Sequence, residues 1–271
     1  MTLAQALARA LALGLDRLDA QLLLLHAVGR TQHERAWLLA HDQDVVSEAH
    51  AQSFQALCAR RLRGEPLAYL VGHKEFFGLL LAVDHRVLVP RPDTETLVDW
   101  ALDMLQGRSE PAVVDLGTGS GAIALALKHQ RPDTRVQAVD CSQEALAVAR
   151  ANGERLGLQV TWRHGVWLTG VDTGLDLIVS NPPYIRADDP HLPALTSEPQ
   201  SALVAGEDGL RDLRAIVSQA PAHLAPGGWL LLEHGWDQAS QVRALLAQAG
   251  LRDVTSRRDL AGIERCSGAR R

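Results

Sequence analysis

Four consecutive residues, Asn181-Pro182-Pro183-Tyr184, close the apolar run Leu175-Asp176-Leu177-Ile178-Val179-Ser180 and could grip a flat amino group. The Asn181 carboxamide oxygen and the Pro182 carbonyl are two hydrogen-bond acceptors, and Tyr184 offers a stacking face. Each proline fixes its own φ near −65°. Each also pushes the residue before it into extended backbone, so the segment is a stiff bend. A bend at the C-terminal end of a strand occupies the usual ligand position of open α/β sheets. A strand-to-loop turn carrying an incidental Asn and Tyr explains the same four letters equally well. A second feature has to decide.

That feature is the run Asp115-Leu116-Gly117-Thr118-Gly119-Ser120-Gly121. Its glycines let backbone approach a ligand closely and turn tightly from strand into helix. The spacing is G-x-G-x-G, which departs from the G-x-G-x-x-G of pyrophosphate sites. Asp115, just inside the turn, suits a cation better than a phosphate. Asp140 closes the next apolar run, Val136 to Val139, where an acidic side chain can accept both hydroxyls of a ribose. A cationic nucleoside without phosphate satisfies all three features, and S-adenosylmethionine is such a molecule. A glycine turn needed only for helix packing is the plainer explanation. The strand before it, the helix after it and the placement of Asp140 weigh against that.

Strand and helix alternate from about residue 109 onward, which predicts a parallel sheet with crossover helices. Strands are expected at Val113-Val114, 136–139, 160–162, 175–180 and 229–232, with two weaker ones beyond Leu251. Helices are expected at 122–127, 143–156, 210–220 and 238–250, and the loop from Ile185 to about Gly206 is long enough to suspect function. Residues 1–72 read as helices only, with capping boxes at Thr2/Gln5 and Thr31/Glu34 and a longer helix from about Ser47. Arg60, Arg61 and Arg63 on that helix are best taken as a solvated face. Residues 73–91 read as a β-hairpin linker, with Glu75-Phe76-Phe77-Gly78 and Arg86-Val87-Leu88-Val89 flanking a turn at Asp84-His85. Asp93 is the expected cap of the helix that follows, opening a domain of 92–271.

The 271 residues, 46% of them hydrophobic, suffice for a real core, and the net charge of −5 argues against a life on nucleic acid. Three scattered cysteines suggest neither a disulfide framework nor zinc, and the eleven histidines lack metal-ligand spacing, so no metal is expected. No signal peptide or membrane-length apolar run opens the chain, which implies a cytoplasmic protein with no membrane partner.

The ordered set DLGTGSG, Asp140 and NPPY resembles class I S-adenosylmethionine-dependent methyltransferases acting on amide or exocyclic amino nitrogens. With PLAYLVGHKEFFG, VLVPRPDTE, SNPPYI and LLLEHGW added, the chain is similar over essentially its whole length to the release-factor glutamine methyltransferases of the PrmC/HemK type. The resemblance implies a Rossmann-like α/β sheet with a small all-helical N-terminal domain for substrate recognition. It implies S-adenosylmethionine as donor and S-adenosylhomocysteine as product. Asp115, Gly117, Thr118, Gly119, Ser120 and Gly121 would cradle the donor's methionine part, Asp140 its ribose, and Trp167 would border its adenine. Asn181 and the Pro182 carbonyl, with Pro183 and Tyr184, would hold the glutamine of the Gly-Gly-Gln motif of peptide chain release factors 1 and 2. A monomer is expected, without stable nucleic-acid binding. A ribosomal-protein glutamine methyltransferase and an adenine-N6 nucleic-acid methyltransferase remain alternatives, as does a nucleoside-binding adaptor without catalysis.

One position departs from the family pattern. An acidic residue usually precedes the tryptophan, and here the run is His164-Gly165-Val166-Trp167. Val166 cannot accept a hydrogen bond from an adenine amino group. A Val166→Asp protein should therefore bind S-adenosylmethionine more tightly by about 1–3 kcal/mol, the worth of one polar contact. Calorimetric titration of both proteins measures this, and equal affinities would refute it.

Overall fold

Thr2 and Gln5 satisfy each other's backbone N–H groups at 3.2 and 3.0 Å, and this capping box starts helix α1 at Leu3–Ala12. In the computed structural model, which describes residues 1–271, the chain divides into two units, Met1–His73 and Lys74–Arg271. The first is entirely helical up to its last residues: α1 is followed by α2 (Arg17–Ala27), α3 (Arg35–Ala40), α4 (Glu48–Leu62) and α5 (Leu67–Val71). Its core gathers Leu3, Ala6, Leu23, Leu24, Leu25, Phe54 and Leu57. Asp16 and Ser47 cap α2 and α4 with their side chains. The Thr31/Glu34 pair does not cap a helix. Glu34 instead accepts from Thr31 N and Arg30, both at 2.8 Å, closing a turn before α3 begins. Arg60 and Arg61 are ion-paired with Glu65 and Asp19.

The second unit carries a hairpin of β1 (His73–Phe76) and β2 (Leu79–Ala82). Its turn is Phe77-Gly78, both at positive φ (50° and 79°), the geometry of a two-residue hairpin loop. Asp84-His85 is therefore not the hairpin turn, and Arg86–Val89 is not its second strand. The Asp84 carboxylate folds back on Arg86 N at 3.0 Å, and Glu198 takes the Val89 N–H at 3.1 Å, so no sheet ladder forms there. Phe76 is buried in the core, which accounts for it without a ligand. Asp93 is not a helix cap either. It sits within the 3₁₀ turn Pro92–Thr94 ahead of α6 (Glu95–Met104) and faces Arg265 at 3.5 Å.

The main sheet contains β3 (Ala112–Leu116), β4 (Arg135–Asp140), β5 (Thr161–His164), β6 (Leu175–Ser180), β7 (Leu224–Glu233), β8 (Arg252–Arg258) and β9 (Glu264–Arg270). Their spatial order is β5-β4-β3-β6-β7-β9-β8, with the first five parallel and β9 antiparallel to both neighbours. Crossover helices α7 (Ala122–Gln130), α8 (Gln143–Leu156) and α9 (Arg211–His223), with α10 (Ala239–Gln248), cover it. Apolar runs such as Leu177-Ile178-Val179 are fully buried because both faces are packed, one against α9 and α10 and the other against α6 and α7. The order reverses direction at β3, where β4 leaves on one side and β6 on the other. Leu116 pairs with Val139 and with Ser180, so the turns after β3, β4 and β6 open at one edge. That edge is the topological switch point where ligands bind in such sheets. No helix is long and apolar enough to cross a membrane.

Gly268 of β9 lies against β7 so closely that an added Cβ would meet Leu231 Cδ2 at 2.5 Å and the Leu230 oxygen at 2.9 Å. Gly268→Ala should cost about 1–3 kcal/mol of stability by overpacking. Urea denaturation measures it, and an unchanged midpoint would contradict this packing.

Candidate functional site

At the switch point the glycine run leaves β3 and is pinned to β4 through Gly117 N and Thr118 N, which donate to the Val139 oxygen at 2.8 and 3.0 Å. Gly117 and Gly121 have φ of +70° and +84°, where a side chain is strained. A Cβ on Gly121 would also meet Leu125, Trp162 and Ala149 at 3.0–3.3 Å, so glycine is required there for the close approach of α7 and α8. Beneath the turn Asp115 is completely buried. Its Oδ2 accepts from Thr118 Oγ1 at 2.6 Å and from Ala124 N, at the start of α7, at 3.2 Å. Burial pushes its carboxyl up to about 7, against the pull of those two donors. Asp115 is thus the brace of the turn and does not line the cavity above it.

That cavity, about 400 Å³, is walled by Gly117, Gly119, Asp140, Cys141, Ser142, Val166, Trp167, Asn181 and Pro183, among others. The volume lies in the range of small-molecule sites. Asp140 Oδ2 accepts from Gly119 N at 2.9 Å and Oδ1 from Ser142 N at 2.8 Å, which aims the carboxylate across the cavity floor. Burial raises its pKa, opposed by these backbone N–H groups. Trp167, at φ +50°, presents its ring edge 3.5 Å from a notional Cβ on Gly117. Val166 is largely exposed and brings no polar atom to the wall. Asp140, Glu144 and Asp212 line the cavity with Arg86 and Arg211, and each arginine is paired with an aspartate, Asp84 or Asp212, so the lining suits a cationic ligand bearing a diol better than a phosphate. The residues present fit a sulfonium nucleoside.

The bend after β6 faces this cavity from the other strand tip. Asn181 Nδ2 donates to Thr94 Oγ1 at 3.1 Å, and Tyr184 Oη donates to Glu233 Oε1 at 3.2 Å. Thr94 and Glu233 are buried, and burial pushes the Glu233 carboxyl up to about 7. Ser180 Oγ donates to the Leu116 oxygen at 2.7 Å, tying the two turns together. Gln238 holds the far side of the bend through the Tyr184 oxygen at 3.1 Å. Of the residues singled out in the sequence, Gly117, Gly119, Asp140, Trp167, Asn181 and Pro183 line the cavity. Asp115, Thr118, Ser120, Gly121, Pro182 and Tyr184 are not among its lining residues, and Asp115 and Tyr184 are held by hydrogen bonds to Thr118, Ala124 and Glu233.

Sequence reasoning passed over several contributors. Thr94 and Glu233 stand inside the runs VLVPRPDTE and LLLEHGW, which marks them only by position. Asn152 of α8 joins the Ser120 oxygen to both backbone groups of Ala82, bracing the turn against the hairpin. Glu198, buried, anchors the long loop after Tyr184 through Val89 N and Arg91, and Pro199, Ser201 and Ala202 of that loop close one side of the cavity. Arg211 and Asp212 line it from α9.

Residues 95–198 match the family described as the Methyltransferase small domain, and residues 2–72 match the PrmC N-terminal domain. The chain is 54% identical over 259 residues to the release factor glutamine methyltransferase of Bordetella pertussis, covering 94% of this chain and 95% of that one. It is 49% identical over 260 residues to the protein of that name from Xylella fastidiosa, with 94% of each covered. Among solved structures, the T. thermophilus 16S rRNA N2 G1207 methyltransferase, in complex with AdoMet and guanosine, is 19% identical. It covers 73% of this chain and 49% of its own, with a TM-score of 0.56, and shares the fold.

The raised Asp115 pKa has a stability consequence. The folded state holds the proton more tightly than the unfolded chain, so stability present below the ordinary carboxyl pKa is lost as pH rises toward 7, by about 1.4 kcal/mol for each pH unit crossed. Asp115→Asn should flatten the fall in melting temperature between pH 5 and 8 compared with the parent protein. An identical pH dependence in both would refute the assignment.

Proposed function

Because this chain belongs to the release factor glutamine methyltransferase family, we propose that it transfers a methyl group from S-adenosylmethionine to the side-chain amide nitrogen of the Gly-Gly-Gln glutamine of peptide chain release factors 1 and 2. The observation that carries this reading is a single cavity bounded on one side by the Gly117/Gly119 turn and Asp140 and on the other by Asn181. Gly117, Gly119 and Asp140 thus share one space with Asn181 and Pro183.

When bound, the donor supplies an electrophilic sulfonium methyl; the chain's own residues supply the rest. Asp140 accepts the ribose hydroxyls, and Trp167 with the apolar Val166 borders the adenine. The glutamine amide is a poor nucleophile because its lone pair is delocalised into the carbonyl. Asn181 Oδ1 and the Pro182 carbonyl accept its two N–H bonds and aim the nitrogen at the methyl carbon. As the N–C bond forms and the C–S bond breaks, positive charge grows on the nitrogen and both hydrogen bonds strengthen, so stabilisation is greatest at the transition state. Orientation in line lowers the barrier further. The proton then leaves an already acidified nitrogen, and no strong base is required beforehand. The match of residues 2–72 to the PrmC N-terminal domain favours a release factor over a ribosomal protein or a nucleic acid.

Labelled methyl transfer to a purified release factor tests this. Incorporation should require the Gly-Gly-Gln glutamine and should fall by about 10²–10³ in Asn181→Ala, the loss typical of one transition-state hydrogen-bond group. Labelling of DNA instead, or of a release factor lacking that glutamine, would overturn it.

A further inference from the structure

Resting on the reading of Asn181 as the amide acceptor, we propose that Glu233, acting through Thr94 and Tyr184, is the positioning residue that decides which end of the Asn181 carboxamide meets the substrate. The two ends of a primary amide have nearly the same shape but opposite hydrogen-bond character, so only a partner can choose between them. For Asn181 that partner is Thr94 Oγ1, 3.1 Å from Nδ2. A hydroxyl carries one proton. If that proton is drawn elsewhere, Thr94 can only accept, Nδ2 must point inward, and Oδ1 is presented to the glutamine N–H.

Glu233 is placed to draw it. The side chain is 1% exposed at the end of β7, and its Oε1 is taken by Tyr184 at 3.2 Å. Oε2 has no hydrogen-bond partner and the Thr94 hydroxyl lies beside the same carboxylate, so Oε2 is the open acceptor toward which that proton can turn. An ionised carboxylate accepts only, which gives the chain from Glu233 through Thr94 to Asn181 a single direction. A glutamine in its place would have no such polarity. The same carboxylate fixes the Tyr184 ring through its hydroxyl, so both sides of the bend answer to one group.

Other groups facing Glu233 are Asp93 of the 3₁₀ turn and Arg265 and Cys266 of β9, while Arg91 and Arg265 act on Tyr184. Burial and Asp93 raise the Glu233 pKa to about 7; Thr94, Tyr184 and Arg265 oppose the rise. Below that pH the protonated acid can donate to Thr94, the direction is lost, and Asn181 is free to turn over. The ionised form, above it, is the competent one.

Glu233→Gln, Thr94→Val and Thr94→Ser test the assignment on the full-length protein with a release factor as substrate. Glu233→Gln and Thr94→Val should lower kcat by roughly tenfold or more, while the Kd for S-adenosylhomocysteine, measured calorimetrically, changes less than about twofold. Thr94→Ser should restore kcat to within about threefold, since it keeps the hydroxyl. The acid limb of the parent's kcat profile should vanish in Glu233→Gln. Parent-like kcat and acid limb in Glu233→Gln, or a Thr94→Ser as impaired as Thr94→Val, would overturn the proposal. A readout free of turnover is the Asn181 side-chain NH₂ signal in ¹⁵N spectra, identified by its loss in Asn181→Asp. In the parent it should titrate with the Glu233 carboxyl, and a signal indifferent to pH would also sink the assignment. If the parent fails to methylate release factors, the functional reading falls, while the NH₂ titration still judges Glu233.

Discussion

A carboxylate with no access to water holds the ligand edge of this sheet together. Asp115, one residue before the end of β3, lies beneath the glycine turn and takes both the Thr118 hydroxyl and the Ala124 N–H, so strand, turn and helix α7 meet at one acceptor. Such a group is costly to bury, and two donors offset that cost only in part, since one of its oxygens has no partner. The rest of the site follows from that brace. With the turn fixed, Gly117 and Gly119 can offer bare backbone to the cavity, and Gly119 N can hold Asp140 at the next strand tip. Asp140 in turn raises the pKa of Asp115 through like charge.

The opposite wall is organised by a different constraint, the bend imposed by two prolines after β6. The bend alone leaves two side chains and a carbonyl to be oriented, and the fold meets that need with contacts from distant parts of the chain. Thr94 comes from the turn before α6, Glu233 from the end of β7 and Gln238 from the start of α10. Ser180 joins this wall to the glycine turn through the Leu116 carbonyl, so the two halves of the cavity cannot drift apart without breaking a buried hydrogen bond. The release factor glutamine methyltransferase chemistry asks for such rigidity, because an amide nitrogen is reactive only when its orientation is held.

How much of this could be read in advance depends on how local each cause is. The inner parallel strands were legible because a strand buried on both faces is a short apolar run, and 175–180 is one of the plainest, whereas the edge strand β5, Thr161–His164, is polar and nowhere fully buried. Asp140 and Asn181 were legible because a strand end is also a place in the sheet. The same reasoning misled at Arg86–Val89, where a β-branched run reads as a strand but its backbone is claimed by Glu198, more than a hundred residues away. Asp93 followed local cap preference, while the chain entered α6 through a 3₁₀ turn instead. Thr94, Asn152 and Glu233 have no local signature at all. Their roles arise from partners 87, 70 and 49 residues distant, and no window of sequence contains both members of such a pair.

The placement of β9 also has a consequence for how the site is assembled. The parallel half of the sheet, β3 to β7, is consecutive in the chain and can assemble as it is made. The second neighbour of β7 is instead β9, which follows an intervening helix and strand and slips between β7 and β8. Glu233 pairs with Cys266 in that last seam. A chain with only the parallel strands paired would possess the glycine turn, yet its Glu233 would lack the β9 neighbour that helps bury it. The amide side of the cavity is thus complete only with the antiparallel hairpin in place, while the nucleoside side is built within the parallel strands.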